Sequence, residues 1–104
     1  MNKILVVDDS SDIRLLLSRT LKAAGYTVSE ATDGDEVLAA TLSYEPDMIL
    51  LDVAMARVDG FKALAQLKKD PRSRNIPVIM VTAKAHPSDL ETARTLGALD
   101  YINK

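Results

Sequence analysis

Cysteine is absent from the 104 residues, and histidine occurs once, at His86. Without thiols there are no disulfides, zinc–thiolate sites or cysteine nucleophiles. A single histidine excludes a multi-histidine metal centre. Charge of one sign is also lacking. Thirteen Lys plus Arg face fifteen Asp plus Glu, a net −2, which gives no basic footprint for nucleic acid. No apolar run approaches the ~20 residues needed to span a bilayer. The four-residue run after Met-Asn-Lys is too short for a signal peptide. What is present is ordinary globular usage, 47% hydrophobic and 27% charged. The expectation is one soluble, cytoplasmic domain over residues 1–104, large enough to bury a core.

Three apolar runs punctuate the chain: Ile4–Val7, Met48–Leu51 and Val78–Val81. None alternates with polar residues, which suits strands covered on both faces, as in a parallel sheet. Helical spacing fills the intervals. Ile13, Leu16, Leu17 and Leu21 form one stretch, stopped by Gly25. Asp33-Gly34 opens a second, with Val37, Leu38 and Leu42, ended by Pro46. Phe61, Leu64 and Leu67 mark a third, ended before Pro71, with Asp59-Gly60 as its turn and cap. Pro87 and Ser88 open a fourth, with Leu90, Ala93 and Leu96, closed by Gly97. Weaker strands fit Thr27–Ala31 and Asp100–Ile102. A βα unit repeated four times and followed by a strand predicts a parallel sheet with helices on both faces.

In such sheets ligands bind beyond the carboxyl ends of the strands. Asp8 and Asp9 follow the first strand, Asp52 the third, Thr82 the fourth and Lys104 the fifth. Three carboxylates carry −3. A divalent cation and the Lys104 ammonium together balance them. Magnesium suits the set, because it prefers oxygen ligands and keeps waters that a phosphate can replace. Such a site is equipped for phosphoryl transfer. Asp52, at the end of the most central run, is the candidate nucleophile. Thr82 and Lys104 can contact phosphoryl oxygens. Taken singly, each residue has a plainer role: Asp9 or Ser10 as a helix cap, Asp52 as a solvated loop residue, Thr82 as a strand end, Tyr101 as a half-buried edge residue. His86 reads as a surface loop residue, and Lys68, Lys69, Arg72 and Arg74 as a solvated helix end.

Val7-Asp8-Asp9-Ser10, Leu51-Asp52-Val53-Ala54-Met55, Asp59-Gly60, Val81-Thr82-Ala83 and Gly97 to Lys104 together resemble the receiver domain of two-component response regulators. The resemblance runs the length of the chain. It implies a flavodoxin-like doubly wound sheet of five parallel strands in the order 2-1-3-4-5. It implies that Asp52 accepts a phosphoryl group from the phosphohistidine of a sensor histidine kinase or phosphotransfer protein. Asp8, Asp9 and Asp52, with the backbone carbonyl of Ala54, would hold Mg²⁺. Thr82 and Tyr101 would form a switch pair, and Lys104 would contact the phosphoryl group. Two positions depart from the family pattern: Ala56 replaces a usual Pro, and the usual Pro and fifth helix after the lysine are missing.

The rival on the same fold is an Mg²⁺-dependent aspartyl phosphohydrolase. That chemistry needs a second Asp two residues past the nucleophile, where this chain has Ala54. A flavin- or nucleotide-binding module would want a Gly- or Ser/Thr-rich loop after the first strand, where Asp8-Asp9 would repel phosphate. The expected function is therefore a signalling switch rather than a turnover enzyme. With the fifth helix missing, the chain is expected to be truncated after the fifth strand and one sheet face to be left partly bare, to be met by self-association, by a partner's helix, or by the tail of a longer chain.

Overall fold

A computed structural model of the chain describes residues 2–52, 60–82 and 87–103. Its elements follow the predicted order: β1 (Lys3–Val7), α1 (Ser11–Ala23), β2 (Thr27–Ala31), α2 (Gly34–Tyr44), β3 (Met48–Asp52), α3 (Gly60–Lys69), β4 (Val78–Thr82), α4 (Pro87–Leu96) and β5 (Asp100–Asn103). Local chemistry sets the helix ends. Ser10 caps α1 by accepting the Ile13 N–H, and Asp33 caps α2 by accepting the Asp35 N–H. At the other ends, α1 and α4 close on Gly25 and Gly97, with φ of 99° and 100°. There the N–H groups of Tyr26 and Ala98 reach back to the carbonyls of Leu21 and Ala93. That closure needs a left-handed residue, which glycine supplies without strain.

All strand pairings are parallel, and the order is β2-β1-β3-β4-β5. This is the flavodoxin-like arrangement expected. Side chains alternate between faces along a strand, and paired residues of parallel strands share a face. Leu5, Val7, Ile49, Leu51, Val78 and Met80 therefore form one face, and all are buried. They join Val37 of α2, Ala63, Leu64 and Leu67 of α3, and Ala93 of α4 in one core cluster.

The second face is covered differently. It carries Ile4, Val6, Leu50, Ile79 and Ile102, and α1 packs on it over β1 and β2. Beneath that helix Ile4 and Val6 are buried, whereas Leu50 and Ile79 are half-buried and Ile102 is 46% exposed. The core cluster takes no residue from this face or from α1. Leu16, placed by its spacing on the apolar stripe of α1, is instead 60% exposed. The helix turns Ile13, Arg14, Leu17, Ser18 and Leu21 away from solvent, so Leu16 falls on its flank.

Candidate functional site

The carboxyl ends of β1 and β3 lie side by side, because Val7 pairs with Leu51. Asp8 follows the first of these residues and Asp52 the second. One oxygen from each of Asp8, Asp9 and Asp52 lies within 4.8 Å of the others. Asp8 and Asp52 are 2% and 5% exposed, while Asp9 is open to solvent. The three predicted carboxylates thus converge, two from below and one from the rim.

Asp8 is held by both main chain and side chain. Its N–H donates to the carbonyl of Ala31 on β2 at 3.2 Å, which continues the sheet ladder by one residue. Its Oδ1 accepts the Ser10 N–H at 3.0 Å, an Asx-type turn that leads into the cap of α1. Its carbonyl accepts from Arg14 Nη1 at 2.7 Å. Arg14 also donates through Nε to Glu30 Oε1 on β2 at 3.1 Å. Arg14 carries little sequence signal, since a lone Arg within an apolar helical stretch reads as a solvent-facing residue. The one clue is that Arg14 and Ser18, four apart, share a side of α1 with Leu21.

The oxygen spacing accords with one small, hard cation. All three oxygens lie within 4.8 Å of one another, near enough to face a single ion. The donor set is all carboxylate, which matches magnesium and offers nothing to soft metals.

The rest of the edge is set by strand register. Asp52 pairs with Val81, and Thr82 pairs with Asn103. The backbone of Thr82 therefore lies one residue beyond the partner of Asp52. Tyr101 pairs with Met80, further back along β5. Thr82 closes β4 rather than following it. Ala54, Ala56, Asp59, His86 and Lys104 lie outside the described residues. An open groove of about 660 Å³ between α2 and α3, lined by Leu38, Gln66 and Lys69 among others, shares no residue with the carboxylates.

The cluster of Lys68, Lys69, Arg72 and Arg74 is more structural than its sequence suggests. Lys68 is half-buried, and its Nζ donates to the carbonyls of Arg74 at 3.1 Å and Ile76 at 2.9 Å. Burial lowers its pKa from the usual lysine value. Arg72 is paired with Asp70 at 2.8 Å.

A parallel sheet in this order, with an oxygen-rich acidic edge at its centre, defines a receiver-type α/β domain. The family model described as the response regulator receiver domain matches residues 4–104, and the chain belongs to that family. It is 39% identical over 104 residues to the DNA-binding dual master transcriptional regulator RpaA of Synechocystis, covering all of this chain and 43% of RpaA. It is 38% identical to protein PilH of Pseudomonas aeruginosa, covering all of this chain and 86% of PilH. The chain spans well under half the length of RpaA and of other curated relatives it matches. Among solved structures, the chemotaxis protein CheY4 of Vibrio cholerae superposes with a TM-score of 0.94 at 35% identity, covering all of this chain and 87% of that one. The chain is thus a response regulator receiver domain of two-component signalling, with an acidic cluster suited to metal.

Proposed function

We propose that this domain is a phosphoacceptor that receives a phosphoryl group on Asp52 from the phosphohistidine of a sensor histidine kinase or phosphotransfer protein, and signals by changing conformation. The convergence of Asp8, Asp9 and Asp52 within 4.8 Å, at the end of the two central strands, carries the reading. In the transfer, a carboxylate oxygen of Asp52 bonds to phosphorus and the bond from phosphorus to the imidazole nitrogen breaks. The nitrogen keeps the electron pair and takes up a proton. Magnesium, held by the Asp8, Asp9 and Asp52 carboxylates with the Ala54 carbonyl, would offset the charge of the phosphoryl oxygens. Thr82 donates its hydroxyl to one of those oxygens, and Lys104 pairs with another. Thr82 and Tyr101 act as the switch pair, Tyr101 turning inward as Thr82 moves to the phosphoryl group.

The same reading makes the domain a switch without enzymatic turnover, since Ala54 stands where an aspartyl phosphohydrolase carries its acid. It places the domain in the cytoplasm, making no contact of its own with nucleic acid or membrane.

Incubation with acetyl phosphate and Mg²⁺ tests the assignment. The expected product is one base-labile phosphoryl group per chain, absent without Mg²⁺ and absent from Asp52→Asn. Labelling of Asp52→Asn at the wild-type rate would overturn the acceptor, and sustained turnover would favour the hydrolase. Thr82→Ala is expected to accept the phosphoryl group without shifting the NMR signals of Tyr101. A wild-type shift in that variant would refute the coupling.

A further inference from the structure

Arg14 carries a charge opposite to the cluster it adjoins, and its side chain ties the carbonyl at the end of β1 to Glu30 on β2. Its guanidinium donates to the carbonyl of Asp8, where the strand stops. Its backbone N–H donates to the carbonyl of Ser10 at 3.0 Å, where the helix begins. Asp9 lies between. The Asp8 carbonyl and the Asp9 N–H belong to one rigid peptide plane. Fixing the direction of that carbonyl therefore fixes the plane from which Asp9 departs. Asp8 has a second restraint, the Ser10 N–H on its carboxylate. Asp9 is exposed, and its aim depends on its backbone. Glu30 anchors the guanidinium from β2 and offsets its charge, so that the clamp does not oppose a cation.

From this we infer that Arg14 is a positioning residue for Asp9, acting through the Asp8 carbonyl and anchored by Glu30. The inference rests on reading Asp8, Asp9 and Asp52 as a cation and phosphoryl site.

Charge and position give opposite signs on substitution. A guanidinium acting only as a charge would repel Mg²⁺, and its removal would tighten binding. A guanidinium acting as a clamp would, when removed, loosen it. Mg²⁺ titration by calorimetry of wild type, Arg14→Met, Arg14→Lys and Glu30→Gln, at low salt and at about 0.5 M KCl, separates the two, because salt screens the charge effect and leaves geometry. Arg14→Met is expected to bind Mg²⁺ ~10-fold more weakly at both salt concentrations, as outer partners of metal ligands usually do. Arg14→Lys is expected to recover part of that loss, since an ammonium can reach one of the two acceptors. Glu30→Gln is expected to weaken binding at low salt only, because it keeps an acceptor oxygen but unbalances the charge. A Kd for Arg14→Met equal to or tighter than wild type overturns the inference, even if the metal-free protein melts lower. If Arg14→Met does not fold, an unchanged Kd in both Arg14→Lys and Glu30→Gln overturns it. A wild type that binds no Mg²⁺ at millimolar concentration overturns the reading of the site instead.

Discussion

Asp8 and Asp9 are neighbours in sequence with different work to do. Asp8 is buried and ties the turn through Ser10, whereas Asp9 stands at the rim. If the three carboxylates hold the cation as proposed, removing Asp9 takes away a ligand and leaves the turn intact. Asp9→Ala is therefore expected to weaken Mg²⁺ binding more than Asp8→Ala in a metal titration. It also removes one of three crowded like charges. The metal-free melting temperature of Asp9→Ala should accordingly rise, by about 4–8 °C for each kcal/mol of repulsion relieved, while the increment produced by Mg²⁺ shrinks. These carboxylates were legible in the sequence because each follows an uninterrupted apolar run, and the end of a parallel strand is a fixed place in space. Arg14 was not legible. Its partners are the carbonyl of Asp8 and the carboxylate of Glu30 on β2, and no periodicity within α1 reports what lies across from it.

Among the elements, β1, β3 and β4 announced themselves as apolar throughout, since each lies between two neighbouring strands, with one face in the core cluster and the other buried or half-buried. The edge strands β2 and β5 carry polar residues because they have a neighbour on one side only. The α3–β4 connection was the least legible. Lys68 reads as a solvated helix end, yet the chain doubles back and presents the Arg74 and Ile76 carbonyls to its ammonium, while its methylenes lie where a Cβ at position 97 would point, so that Gly97 leaves room for them. Lys68→Met keeps the packing and removes the donor. It is expected to cost about 1 kcal/mol, seen as a lower urea midpoint with an unchanged m-value. Asp70 opens the same connection. Hydrogen bonds from the Arg72 side chain and backbone N–H hold its carboxyl down from 3.8 to about 2. A depressed carboxyl stabilises the fold above its unfolded value and loses that contribution as pH falls through the folded one. The connection should therefore weaken between pH 3.8 and about 2. Asp70→Asn should flatten the acid limb of stability against pH in that window, as followed by urea unfolding.

At the scale of the molecule, the two sheet faces are covered unequally. Three helices close one face into a continuous core, and α1 covers part of the other. Along that second face Val81 is buried, Leu50 and Ile79 are half-buried and Ile102 is 46% exposed. The parallel pairing has a further consequence, in time rather than in space. β1 meets β3 only after α1, β2 and α2 have been passed, so Asp8 and Asp52 are strangers until the centre of the sheet has closed. An ion that needs both meets a nearly finished molecule. In a chevron measured with and without Mg²⁺, the refolding limb should stay where it is and the unfolding limb should slow, so that bound metal lengthens the life of the folded domain without hastening its birth.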